Sequence, residues 1–237
     1  MDSPKSFSRR DFLKLGSVVG SGLVIGFHFP FGNKLMGAEV KEFKPNTFIS
    51  VLPDNRIIIS VAKAEMGQGI WTSLPMIIAE EMEADWSNVE IVQSNEPDFF
   101  GTGGSSSISR FGWKKMREAG AIAKHMLVKA ASLKWEVSDK DCEVKKGIIY
   151  HKPSGKSISF GLLADQASKL KIPRKVTLKD PNNYTIIGYD KLRTDSFIKT
   201  NGTASYSMDI DIAGMVYAMV ERPSPFGAKY ISSNLKE

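Results

Sequence analysis

The sequence predicts an α+β fold, with mixed sheets and helices packed on them. Three observations carry this. An apolar, β-branched hairpin spans residues 48–52 and 56–62 around the turn Pro53-Asp54-Asn55. An apolar stripe at helical spacing runs through Met116, Ala119, Ala123, Met126, Leu127, Ala130 and Leu133. Two further short strands, 142–144 and 148–150, flank a turn at Lys145-Lys146-Gly147.

The elements follow in order. Ser8-Arg9-Arg10-Asp11-Phe12-Leu13-Lys14 reads as a twin-arginine export signal. A Gly-rich apolar stretch follows over residues 15–29, interrupted by His28 and closed by Pro30, short for a membrane span. Cleavage after Ala38 and an uncleaved anchor both stand open. Residues 1–40 are set apart as a signal region, with the translocation machinery as partner and the periplasm as destination.

The hairpin at 48–62 leads into Glu65-Met66-Gly67-Gln68-Gly69. A helix is expected over 71–84, with Pro75 tolerated in its first turn. Glu80, Glu81 and Glu83 then belong to a solvated face. Asp85-Trp86-Ser87-Asn88 forms a turn before a strand at 89–93. A long polar loop carries the second glycine run, Gly101-Thr102-Gly103-Gly104-Ser105-Ser106-Ser107. The helix over 108–135 contains Gly120, a sign of close packing, and a surface His125.

Cys142 sits in an alternating strand as a half-buried core thiol. As the only cysteine, it excludes an internal disulfide and a cysteine-built cluster. A turn at Ser154-Gly155 and a short helix over 160–170 come next. Residues 173–183 are extended, and a domain boundary is placed there. Strands are expected at 203–209 and 215–221. The domains are therefore 41–180 and 181–237.

Length and charge narrow the function. A chain of 237 residues with 42% hydrophobic residues can bury one core and begin a second. Its formal charge is +6, but the lysines are scattered among acidic residues. That fits a solvated surface, and no nucleic-acid-binding motif accompanies it.

The glycine runs carry the chemistry. A run before a helix brings backbone close to a ligand and aims N–H groups at an anion. Two such loops suggest a large, phosphate-bearing ligand. Each alone reads equally as a plain turn, and neither matches a P-loop or Gly-x-Gly-x-x-Gly.

In combination the motifs resemble a known family. The segment from Glu65 to Gly69, with Thr72, Leu74-Pro75-Met76 and Ala79-Glu80-Glu81, is followed by Thr102 to Ser107, Arg117-Glu118-Ala119-Gly120-Ala121, Met126-Leu127 and Val176 to Pro181. This order is similar to the molybdopterin-binding large subunit of the xanthine dehydrogenase/aldehyde oxidase superfamily, in the branch of the isoquinoline 1-oxidoreductase beta subunit. Gly188, Arg193, Asp195, Lys199 to Gly202, Gly214 to Ala218 and Arg222-Pro223 resemble the opening of that superfamily's hammerhead α/β domain.

The resemblance implies molybdopterin cytosine dinucleotide as cofactor, with the metal held by the pterin and not by protein ligands. By motif match, Gly67, Gln68, Gly69, Gly103, Gly104, Ser105, Ser106 and Ser107 would contact it. It implies hydroxylation of an N-heterocycle or an aldehyde, with electrons leaving through 2Fe-2S clusters on a small partner subunit. The family's glutamate base lies near the far end of the large subunit, and no residue here matches it. The chain thus looks like the first third or so of such a subunit, catalytically silent alone.

Two rival classes stand beside this. One is an exported serine hydrolase using Ser105, Ser106 or Ser107 with His28, His125 or His151; it lacks a Gly-x-Ser-x-Gly elbow and a Ser-x-x-Lys pair. The other is an exported, non-catalytic binding protein.

Overall fold

A computed structural model describes residues 6–7, 22–27, 47–61, 63–94, 112–222 and 225–232. The twin-arginine residues 8–14 and the second glycine run, 101–107, lie outside them. The architecture is α+β, as expected. The chain divides into two units, Met1–Thr203 and Ala204–Glu237.

The first unit is built on a five-stranded mixed sheet. Its strands are β1 (Ser6–Phe7), β2 (Leu23–Phe27), β3 (Thr47–Val51), β4 (Ile57–Val61) and β5 (Val89–Ser94), in the spatial order β1-β5-β4-β3-β2. β3 and β4 form the expected hairpin, whereas β4 and β5 are parallel. Parallel neighbours need a crossover, and helix α1 (Ile70–Met82) supplies it. Every residue of β4 is buried. Ile57, Ile59 and Val61 join the main core, while Ile58 packs with Leu52 and Val92 on the other face.

β2 departs from the sequence reading. Leu23–Phe27 lies inside the segment set apart as a signal region, yet it pairs antiparallel with β3. Leu23 and Ile25 are buried in the main core. A short apolar run serves equally as a leader or an edge strand, and composition alone does not distinguish them.

Helix α1 begins one residue before its expected start, so Pro75 falls in the second turn. Its ring removes the donor that would reach the Trp71 carbonyl. Helix α2 (Trp113–Trp135) packs along α1. Gly120 permits the approach: a Cβ there would sit 2.4 Å from the Ile78 carbonyl oxygen and 2.8 Å from Glu81 Cβ. The predicted apolar stripe of α2 is buried except at Leu133, which is 50% exposed. A three-stranded antiparallel sheet follows, β6 (Cys142–Lys145), β7 (Ile148–His151) and β8 (Ser157–Ser159), and leads into helix α3 (Phe160–Ser168).

Residues 173–203 stay with the first unit. Buried carboxylates on α1 hold them. Glu80 and Glu81 are 0% and 1% exposed, so the expected solvated face is overturned. Glu80 accepts from the backbone N–H groups of Thr185, Ile186 and Ile187 and from Lys179 Nζ at 2.7 Å. Glu81 accepts from Lys179 N at 2.8 Å and from Arg117 Nε. A buried carboxylate survives only when paired and hydrogen-bonded, and here the partners other than Arg117 come from about a hundred positions downstream.

The second unit holds a single 3-10 turn, Ser207–Asp209, among its described residues. The strands expected at 203–209 and 215–221 are not formed there. Val216, Tyr217, Met219 and Val220 are 80–97% exposed. A strand needs a neighbour for its backbone groups, and alternating sequence alone does not provide one.

Candidate functional site

The first glycine loop emerges from the carboxyl end of β4. The chain leading to the second emerges from the carboxyl end of β5, immediately beside it. Val61 pairs with Gln93 at this edge. Gln93 ties the two strand ends together: its Nε2 donates to the Val61 carbonyl at 3.1 Å, and its Oε1 accepts from Trp71 Nε1 at 2.7 Å. The carboxyl ends of adjacent parallel strands are where open α/β sheets place ligands. Gly67, Gln68 and Gly69 are brought together here. Gly103, Gly104, Ser105, Ser106 and Ser107 lie outside the described residues.

The loop is shaped by its own acid. Glu65 Oε1 accepts from Gly67 N at 2.8 Å and Gly69 N at 3.0 Å, and Oε2 accepts from Trp71 N at 3.1 Å. A carboxylate therefore fills the amide nest at the start of α1, as an external anion would. Burial alone would raise the Glu65 pKa, but the bonds from Gly69, Trp71 and Gly67 outweigh it and hold the carboxyl below its ordinary range. With both oxygens engaged as an anchor, Glu65 has no free base function in this state.

Gln68 also turns inward. Its Nε2 donates to the Ala64 carbonyl at 2.9 Å, and its Oε1 accepts from Met66 N at 2.6 Å. Gly67 and Gly69 adopt φ of +101° and +82°, a region that favours glycine. A Cβ on Gly67 would meet no described atom within 4 Å, so among the described residues the outer face of the loop is open. Met66, Gly67 and Gln68 are exposed. Lys63, 4% exposed, sits at the base of the loop, and burial lowers its pKa.

A second layer comes from far along the chain. Arg193 Nη1 donates to the Gly67 carbonyl at 2.9 Å, and Nη2 lies 3.3 Å from Glu65 Oε1. Asp195, 1% exposed at its side chain, holds Arg193 through Nε at 2.9 Å and Nη2 at 2.8 Å, and pairs with Lys199. The bonds from Arg193 and Lys199 overcome burial and keep the Asp195 carboxyl far below its ordinary range. Thr194 N donates to Thr72 Oγ1 at 3.0 Å in the first turn of α1. The sequence reading noted Arg193, Asp195 and Lys199 only as parts of a resemblance. An Arg two positions before an Asp, with a Lys four positions after it, is the signal that marks an ion cluster.

A groove of about 510 Å³ lies elsewhere, between α2, β6 and Val176-Thr177. Lys124, His125, Cys142 and Glu143 line it, and no residue of the 65–69 glycine loop does. Lys124 is paired with Glu83 at 3.1 Å, and the lining mixes both charge signs around the free Cys142 thiol. Burial, then Asp139 and Asp141, push the Cys142 thiol pKa up. Among the described residues no group of three or more His, Cys, Asp or Glu is placed to hold a metal ion. No described helix is long and apolar enough to cross a membrane.

Comparison with known proteins adds to this geometry. The family model of a molybdopterin cofactor-binding domain matches residues 7–221. The chain is 35% identical over 242 residues to the membrane-bound aldehyde dehydrogenase (pyrroloquinoline-quinone) of Gluconacetobacter polyoxogenes, covering 94% of this chain and 30% of that protein. It is 29% identical over 230 residues to isoquinoline 1-oxidoreductase subunit beta of Brevundimonas diminuta, covering 77% of this chain and 29% of that protein. Among solved structures, the CO dehydrogenase of Oligotropha carboxidovorans aligns with a TM-score of 0.43 and 22% identity, over 58% of this chain and 18% of that one. The chain thus spans under a third of the length of these relatives.

Proposed function

Because the chain belongs to the molybdopterin cofactor-binding domain family, we propose that it is the opening part of an exported molybdenum hydroxylase large subunit. In this reading it binds molybdopterin cytosine dinucleotide. The complete enzyme hydroxylates an N-heterocycle or an aldehyde, taking oxygen from water and releasing two protons and two electrons per turnover. A small 2Fe-2S subunit carries the electrons away. The twin-arginine segment delivers the folded, loaded protein to the periplasm.

The observation that carries the reading is the glycine loop at the carboxyl edge of β4, beside the root of the second loop at β5. The described residues fit a pterin nucleotide in a particular way. The amide nest is filled by Glu65. A ligand therefore lies against the open outer face, where Gly67 offers backbone with no side chain in the way. Gly67, Gln68 and Gly69 would hold it there, and by motif match Ser105, Ser106 and Ser107 would also contact it. When bound, the cofactor supplies the redox chemistry that no side chain can. The protein's share is to hold, orient and exclude water.

The test uses the full-length gene product made in a host that synthesises the cofactor. Purified protein is assayed for hydroxylation of isoquinoline and of a simple aldehyde, with an artificial electron acceptor and isotopically labelled water. Label in the product supports the reading. Absence of turnover on both classes by a molybdenum-loaded protein sinks the substrate assignment.

A further inference from the structure

We infer that Arg193 is the positioning residue of the glycine loop, the group through which residues 188–203 set the backbone conformation that meets the pterin. This rests on the cofactor reading above. The argument begins with what the loop lacks. It is short, exposed at its tip and held in two positive-φ glycine conformations. Glycine gives up the most backbone freedom on ordering, so such a loop stays fixed only when its neighbours over-determine it.

Arg193 supplies that determination. One guanidinium nitrogen holds the Gly67 carbonyl and another approaches Glu65, the acid that gathers three loop and helix amides. The guanidinium is planar and its donors are fixed in direction, so it can set both groups at once. It is itself held in place by the two bonds it donates to Asp195, whose Oδ2 also pairs with Lys199. A Cβ on Gly69 would lie 3.7 Å from Arg193 Nη1, so the guanidinium packs directly beside the second glycine.

The segment carrying Arg193 is pinned at both ends of α1. Glu80 captures Thr185 to Ile187 near the carboxyl end, and Thr72 captures Thr194 at the amino end. Residues 185–194 therefore form a strap along α1 whose Arg193 guanidinium closes on the loop. Arg193 touches no reacting atom in this scheme, and it acts through Glu65 and Gly67.

The experiment compares full-length wild-type protein with Arg193→Ala by backbone hydrogen exchange in the cofactor-free state, and by pterin content after expression in a cofactor-producing host. The expected result is exchange on the order of tenfold faster over residues 64–73, with residues 142–168 unchanged. Pterin content falls by a similar factor. Arg193→Lys keeps the charge but loses the fork, and restores only part of both. If Arg193→Ala fails to fold, Arg193→Lys serves, with a smaller acceleration expected over the same residues 64–73. Unchanged exchange over 64–73, or an equal acceleration across the chain, overturns the proposal. If wild-type protein carries no pterin, the cofactor reading fails, while the exchange comparison still decides the role of Arg193 on the loop.

Discussion

Arg193 Nη2 meets Glu65 Oε1 at 3.3 Å across 128 positions of sequence. Glu65 is 4% exposed at its side chain and Arg193 38%, so the pair is rooted in the protein on one side and open to solvent on the other. The acid organises the start of α1 and the cation fixes the acid. Everything downstream of residue 173 in the first unit bears on that contact, because Glu80 and Glu81 decide where the strap lies.

Acid should loosen this arrangement in a defined direction. Glu65, Glu80 and Asp195 have folded pKa values below their ordinary values of 4.5, 4.5 and 3.8. Their stabilising contribution is complete above those ordinary values and is lost as pH falls through the lower folded ones. The melting temperature is expected to change little from these groups near neutrality and to fall as pH drops below 4.5. Glu65→Gln should lose less on acidification than wild type. Equal losses for the two proteins would remove Glu65 from the account.

Glu80→Gln tests the buried staple. The change keeps the shape but leaves Lys179, 8% exposed at its side chain, without its closest counter-charge. Removing one partner of a buried pair costs about 3–5 kcal/mol. Urea unfolding should show a loss of that order, and proteolysis between residues 173 and 190 should accelerate. A loss under about 1 kcal/mol, as for an exposed ion pair, would contradict the burial argument.

How far the sequence revealed this fold depends on the range of each interaction. Strands β3, β4 and β5 and helices α1 and α2 were legible because apolar spacing reports a local period. Gly120 was legible as a packing position because a glycine within a long helical stripe has few other uses. Glu80 and Glu81 were not, because their partners lie 36 to 107 positions away. Arg193 was invisible as a loop clamp for the same reason. Leu23–Phe27 was not legible as a strand because leader and edge strand share a composition. The strands expected beyond residue 203 lack any described neighbour to pair with, and a pattern cannot supply one.

Gly120→Ala should destabilise through crowding. Its new Cβ meets backbone, the Ile78 carbonyl, at 2.4 Å, and backbone yields only by shifting α2 from α1. Overpacking of this kind costs about 1–3 kcal/mol. Gly155→Ala is the comparison: unlike the helical Gly120 it has a positive φ, +68°, which strains the backbone of an alanine, but its Cβ meets no described atom within 4 Å. Denaturant midpoints for the two should separate clearly, with Gly120→Ala the lower. Coinciding midpoints would mean that helix approach is not limited at Gly120.

Cys142 should alkylate slowly. Burial and the neighbouring Asp139 and Asp141 raise its pKa above the ordinary 9.0, so little thiolate exists near neutral pH. Iodoacetamide labelling followed by mass spectrometry should give a rate that is low at neutrality and still rising beyond pH 9. A rate that levels off below that pH would show an activated thiol in the α2–β6 groove.

The central claim is that this chain holds part of a molybdopterin nucleotide site. The most direct test is the molybdenum content of the full-length protein together with the nucleotide released from it by mild acid hydrolysis. The account predicts molybdenum and cytidine monophosphate in equimolar amounts, both lost together when the glycines at 67 and 69 are replaced by alanine. Protein purified from a cofactor-producing host with neither molybdenum nor any pterin would contradict it.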